Sequence, residues 1–170
     1  LEHPEISAIS FTGGTETGKI VAKTAGPMFK KLSLELGGKN ATIILDDADL
    51  ETAAIGAAKA AFTNSGQVCL CGSRVLIDAK IYDAFVDKFV VAVAAMKVDN
   101  PEDESTDIGS VISQQHMEKV LSYIELAKQE GGTITHGGQR IILNHASLKN
   151  GSFISPTVIE NLSISSRCAT

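Results

Sequence analysis

The sequence has no tryptophan, only two tyrosines and four prolines, and three cysteines (Cys69, Cys71 and Cys168) among 170 residues. Three cysteines cannot all pair, and their density is far below that of a disulfide scaffold, so a reducing, cytoplasmic setting is expected. No apolar run reaches the 18 or so residues of a membrane span, which excludes a transmembrane helix. Basic residues are outnumbered, 15 against 20 acidic, for a net charge of −5, and they form no block. A nucleic-acid partner held by phosphate neutralisation is therefore not expected. Leu1-Glu2-His3-Pro4 offers no charged segment leading into an apolar one, so it does not read as a signal peptide. There is no starting Met, and Ser165 to Thr170 shows neither a helix cap nor a closing strand. Both ends read as cut from something longer. Internal repeats and low-complexity tracts are missing too.

What is present is globular: 44% hydrophobic and 21% charged residues, at a length ordinary for one domain. Ile6 to Phe11 alternates and stops at Gly13-Gly14, as a short buried strand does. Thr15 opens a helical pattern that ends at Gly26-Pro27. Lys31 to Leu36 and Thr42 to Leu45 read as strands. Asp49 is the predicted N-cap of an alanine-rich helix over Leu50 to Asn64, which would sit deep in a core. A strand over Arg74 to Asp78 precedes a helix over Ile81 to Val98, whose Ile81, Phe85, Phe89, Val93 and Met96 share one face. After a polar loop, Asn100 to Thr106, comes a helix over Gln114 to Glu130 with Val120, Leu121, Ile124 and Ala127 inward. Short strands are predicted at Ile134, Ile141-Ile142 and Thr157 to Ile159. Strands alternating with helices predict an α/β architecture with a largely parallel sheet.

Three segments carry groups capable of chemistry. In Gly66-Gln67-Val68-Cys69-Leu70-Cys71-Gly72, a cysteine follows a glycine-broken helix and precedes a strand. A turn with free backbone N–H groups can favour a thiolate, but a tight turn can equally carry a buried, inert cysteine. Cys69 and Cys71 alone do not make a metal site, because no other cysteine lies at ligand spacing and His116, His136 and His145 are scattered. In Leu34-Glu35-Leu36-Gly37-Gly38-Lys39, a carboxylate lies between two leucines. Desolvation there would raise its pKa and suit it to a general base, whereas simple alternation would turn it to solvent. In Phe11 to Gly18, a strand passes through Gly13-Gly14 into a helix whose N-terminus could receive a phosphate. The spacing is not G-x-G-x-x-G, and such a turn can also be only a turn.

Taken in order, these three segments resemble the aldehyde dehydrogenase superfamily. Leu34 to Lys39 carries that family's glutamate motif unbroken, Gly66-Gln67-Val68-Cys69 its cysteine motif, and Ser155-Pro156-Thr157-Val158 fits as well. The resemblance runs through the chain. It implies the end of a Rossmann-like cofactor domain over 1–37, followed by most of the catalytic α/β (thiol) domain over 38–170. It implies that Cys69 attacks an aldehyde carbon to give a thiohemiacetal and then a thioester, and that Glu35 activates water to release the acid. Gly14, Thr15 and Glu16 would lie against the cofactor phosphates, and Leu36 and Gly37 against the nicotinamide. NAD is the implied cofactor, with NADP open, and no metal is implied. The partner would be a small aldehyde, and the parent a homodimer or homotetramer. The family usually has Ser where Gly14 stands, which removes one hydroxyl.

Lys30 to Glu35 and Cys69-Leu70-Cys71 are most similar to the branch acting on 2-aminomuconate or 2-hydroxymuconate semialdehyde in the kynurenine route. The resemblance also implies elements outside these residues: an oxyanion asparagine, ribose-binding groups and an E-x-F-G-P segment. The 170 residues alone are therefore expected to be inactive. Two other readings stay open, a CoA-acylating semialdehyde dehydrogenase and a catalytically dead structural or binding protein on the same fold.

Overall fold

A computed structural model describes all residues, 1–170. The chain packs as two compact units, Leu1–Gly38 and Lys39–Thr170.

The first unit is a single strand–helix–strand. Strand β1 (Ala8–Gly13) leads into α1 (Thr15–Ala25) and returns as β2 (Lys31–Leu36). The two strands are parallel and in register from Ala8 opposite Lys31 to Gly13 opposite Leu36. Gly18 lets the helix lie on the strand, since a Cβ there would come within 2.6 Å of Leu36 Cδ2. After α1 a 3₁₀ turn over Gly26–Met28 and a left-handed Phe29 (φ 55°) reverse the chain. The buried Lys30 then donates its ammonium to the His3 carbonyl.

The second unit begins with the same device. Strand β3 (Ala41–Ile44), α2 (Leu50–Phe62) and β4 (Arg74–Ile77) form another parallel pair, from Ala41 opposite Arg74 to Ile44 opposite Ile77. Asp49 caps α2 as predicted, accepting from Thr52 N–H at 2.9 Å. Helices α3 (Tyr82–Ala94) and α4 (Gln114–Gln129) follow, the latter capped by Ser113. Strands β5 (Thr133–His136) and β8 (Val158–Glu160) pair antiparallel, as do β6 (Arg140–Ile141) and β7 (Phe153–Ile154). The core joins Ile44, the small face of α2 (Ala54, Ala57, Ala58) and Phe85, Phe89 and Val93 of α3. The alanines leave room for two stacked rings, Phe85 and Phe89, with centroids 5.7 Å apart.

The sequence expectations need correcting in three places. There is no single, largely parallel sheet but four two-stranded ladders, two parallel and two antiparallel. The pattern follows the connections: a helix intervenes in each parallel pair, and none lies within either antiparallel pair. Helix α2 is not deep in a core, because Glu51, Thr52, Ile55, Gly56 and Lys59 of its outer face are exposed. Helix α3 stops at Ala94, short of Val98, which instead makes a bridge to Ile108. No helix is long and apolar enough to cross a membrane.

Candidate active site

The candidate thiol sits on a loop built from the end of α2. Thr63 closes the helix by donating its hydroxyl to the Lys59 carbonyl at 2.6 Å. Three consecutive residues then turn left-handed: Asn64 (φ 52°), Ser65 (φ 57°) and Gly66 (φ 74°). Glycine adopts this conformation freely, but a serine there costs about 1–3 kcal/mol, so the surroundings must hold it. Ser65 Oγ donates to the Gly109 carbonyl at 2.9 Å. Gln67 ties the turn at both ends, its Nε2 donating to the Asn64 carbonyl and its Oε1 accepting from Ile112 N–H at 2.9 Å.

A second turn follows, closed by Cys71 N–H donating to the Val68 carbonyl at 3.0 Å. Cys69 and Leu70 form its corner and both are exposed. The two neighbouring cysteines therefore differ. Cys71 is buried, its Sγ 3.7 Å from the Thr63 carbonyl, while Cys69 faces outward. The Cys69 amide donates to no protein acceptor. Its carbonyl accepts from Asn40 Nδ2 at 2.5 Å, with a longer contact of 3.5 Å from the same nitrogen to the Cys71 carbonyl. Gly72 then anchors the exit of the loop through its N–H to the Ala60 carbonyl of α2. Cys168, the third cysteine, is half-buried, and burial pushes its thiol pKa up.

The other candidates belong to the first unit. Because Gly13 lies opposite Leu36, the turn at Gly14, Thr15 and Glu16 and the turn at Leu36 and Gly37 share the carboxyl edge of the parallel pair. That edge is where ligands bind in open parallel sheets. Gly14 is the N-cap of α1 and supplies no side chain to its first-turn N–H groups. A Cβ at Gly14 or at Gly37 would meet nothing within 4 Å. Glu16 is exposed and forms an ion pair with Lys19 at 2.7 Å on the same helix. Glu35 does not have the buried setting that its flanking leucines suggested. Strand alternation turns it to the exposed face while Leu34 and Leu36 are half-buried.

Sequence reasoning gave no role to Asn40, Ser65 or Gln67. Asn40 directly follows the motif read for its glutamate, and Gln67 stands inside the one read for its cysteine. Their contacts span 29 and 45 positions, which no local pattern reveals.

Residues 1–170 match the family model described as the aldehyde dehydrogenase family. The chain is 45% identical to a 2-aminomuconic 6-semialdehyde dehydrogenase of a Pseudomonas species over 166 residues, 98% of this chain and 34% of that protein. It is 42% identical to a 2-aminomuconic semialdehyde dehydrogenase of Mus musculus over 172 aligned positions, all of this chain and 35% of that protein. Among solved structures, a betaine aldehyde dehydrogenase from Staphylococcus aureus in complex with NAD⁺ superposes with a TM-score of 0.92 at 43% identity. It covers 99% of this chain and 33% of that one. The chain thus spans about a third of the length of the relatives it matches.

Proposed function

The chain belongs to the aldehyde dehydrogenase family, and from that premise we propose that the protein carrying it oxidises an aldehyde to the carboxylic acid with NAD. The observation that carries this reading is Cys69, an exposed thiol at the corner of a tied turn, with its own amide free. Cys69 Sγ attacks the carbonyl carbon, and the free Cys69 N–H is suited to receive the oxyanion of the thiohemiacetal. Oxidation leaves a thioester on the same sulfur. Glu35 takes a proton from water, which attacks the thioester carbon, releasing the acid and regenerating the thiolate.

NAD, when bound, supplies the hydride acceptor. The residues present fit it: α1 offers uncapped first-turn N–H groups beside an open Gly14, a setting suited to a pyrophosphate. Gly14, Thr15 and Glu16 would hold the phosphates, and Leu36 and Gly37 the nicotinamide. Residues 1–37 thus act as the end of a cofactor domain and 38–170 as the thiol domain.

The aldehyde proposed is 2-aminomuconate semialdehyde, an intermediate of the kynurenine route. The support is similarity to the two relatives named for that aldehyde. Relatives named for 4-trimethylaminobutyraldehyde and betaine aldehyde match at 43%, so the choice needs a direct test. On the same reading the whole protein is cytoplasmic and assembles as a homodimer or homotetramer.

The test uses the full-length protein with these three aldehydes and either NAD or NADP. Activity should be highest with 2-aminomuconate semialdehyde and NAD, by about tenfold or more in kcat/KM. Cys69→Ala should lose at least about 10³-fold in kcat. Undiminished turnover in that variant would remove the thiol from the reaction. A preference for a quaternary-ammonium aldehyde would correct the substrate alone.

A further inference from the structure

We infer that Asn40 is the positioning residue of the candidate nucleophile, an inference that rests on the function proposed above. The observation is a single side-chain amide that joins the strand pair to the thiol loop. Asn40 immediately precedes β3, and its own carbonyl accepts from Arg74 N–H at 3.1 Å, the first residue of β4. Its backbone is therefore part of the β3–β4 ladder. Its half-buried side chain crosses to the loop and donates Nδ2 to the Cys69 carbonyl at 2.5 Å.

The Cys69 carbonyl has no other donor in the chain. The turn that carries it is closed by one backbone bond, from Cys71 N–H to the Val68 carbonyl. That bond fixes the ends of the turn and leaves the central peptide plane, between Cys69 and Leu70, free to rotate. Leu70 cannot fix it by packing, because it is 80% exposed. Asn40 is the one group that holds this plane. Holding it fixes ψ of Cys69 and with it the direction of the Cα–Cβ bond and the sulfur. The longer contact to the Cys71 carbonyl draws the Cys71–Gly72 peptide toward the same nitrogen. Reaction at a carbonyl carbon requires the attacking atom within a narrow range of distance and angle, and a 1 Å error can cost about 10²-fold. Asn40 thus acts on the chemistry through Cys69 without touching the substrate.

The experiment compares Asn40→Asp, Asn40→Ala and Asn40→Gln in the full-length protein. The aspartate has the same shape but offers carboxylate oxygens to two carbonyls. Glutamine keeps the amide donor on a longer stem. Both Asn40→Asp and Asn40→Ala should lower kcat by about 30-fold or more while KM for aldehyde and NAD stays within about threefold. Asn40→Gln should recover at least part of the loss. Hydrogen exchange at the Cys71 and Gly72 amides should quicken in the first two variants and not along α3. If Asn40→Asp does not fold, Asn40→Ala alone decides the matter by the same measurements.

Wild-type kcat in Asn40→Ala would overturn the inference, whatever the exchange rates do. So would a loss confined to KM, or a general collapse of protection across the second unit. The function itself fails differently: full turnover in Cys69→Ala, or no aldehyde oxidation by the wild type. In that event exchange at Cys71 and Gly72 still judges the clamp, and unchanged rates in Asn40→Ala would overturn it too.

Discussion

In Leu1–Gly38 the candidate groups are offered by bare backbone at the ends of two strands, whereas in Lys39–Thr170 the candidate thiol rides on a loop tied by side chains. The first unit presents Gly14 with no cap on α1 and Gly37 with open space around it. The second holds Cys69 through Asn40, Ser65 and Gln67, each reaching a backbone group at a distance in sequence. The difference fits two tasks. A long anionic ligand needs donors and clearance, and main-chain N–H groups supply both without a side chain to order. A nucleophile needs one direction, and a turn corner has that only if something fixes its peptide planes. The first unit should therefore be sensitive to added volume and the second to lost hydrogen bonds.

Glu35 is the exception that can break this division, because its proposed work is done by a side chain of the first unit. Glu35→Gln keeps the shape and removes the base. In the full-length protein it should slow release of the acid by about 10²-fold or more, while the first turnover stays fast. Rapid mixing would show a burst of NADH near one equivalent per site, followed by a slow steady rate. A steady rate equal to wild type would mean that the Glu35 side chain has no part in releasing the acid, and the exception would fall.

Gly72 sharpens the comparison from the other side, as a place where the second unit is intolerant of volume. It lies at the exit of the thiol loop, and a Cβ there would overlap Thr42 Oγ1 of β3. Thr42 is β-branched and stiff, so the strain falls on the strand pair. Gly72→Ala should destabilise the full-length protein by about 1–3 kcal/mol in denaturant unfolding. The added carbon would lie an ordinary 3.5 Å from Thr42 Cβ. Removing the hydroxyl with Thr42→Ala should therefore restore most of the stability in the double variant. Additive losses would show that the crowding is not with Oγ1.

How far the sequence revealed this architecture depends on range. The capping Asp49, the helix over Thr15–Ala25 and the Phe85, Phe89 and Val93 stripe follow from spacing within one or two turns, and the structure has all three. The four separate ladders were not legible, because strands of two to six residues do not encode which partner they meet. The exposure of Glu35 was half legible: its leucine neighbours suggest burial, yet the same alternation sets it on the opposite face. The thiol loop was visible as a glycine-flanked cysteine, but not its left-handed entry at Asn64 and Ser65. That conformation is imposed by Gly109 and Ile112, which are distant in sequence and meet the loop only in the folded unit.

Side-chain ties also hold the polar loop that follows α3, and they provide the mildest test of whether such ties matter. In the loop Asn100 to Thr106, Asp103 accepts from Ser105 N–H at 2.9 Å, from Ser105 Oγ at 2.8 Å and from Lys97 Nζ at 3.1 Å. These bonds, the Ser105 amide foremost, hold its carboxyl pKa down at about 2, from an ordinary 3.8. A depressed carboxyl pKa favours the folded state only while the group is ionised there and would be protonated more readily unfolded. The contribution is therefore complete above about pH 4 and disappears as pH falls through about 2. Asp103→Asn should accordingly melt lower than wild type near neutrality, with the two curves converging in strong acid. All partners are exposed and screened, so the gap should be about 1 °C and should shrink in high salt. A gap that persists unchanged at the lowest pH would mean that the asparagine perturbs the turn itself rather than removing a charge.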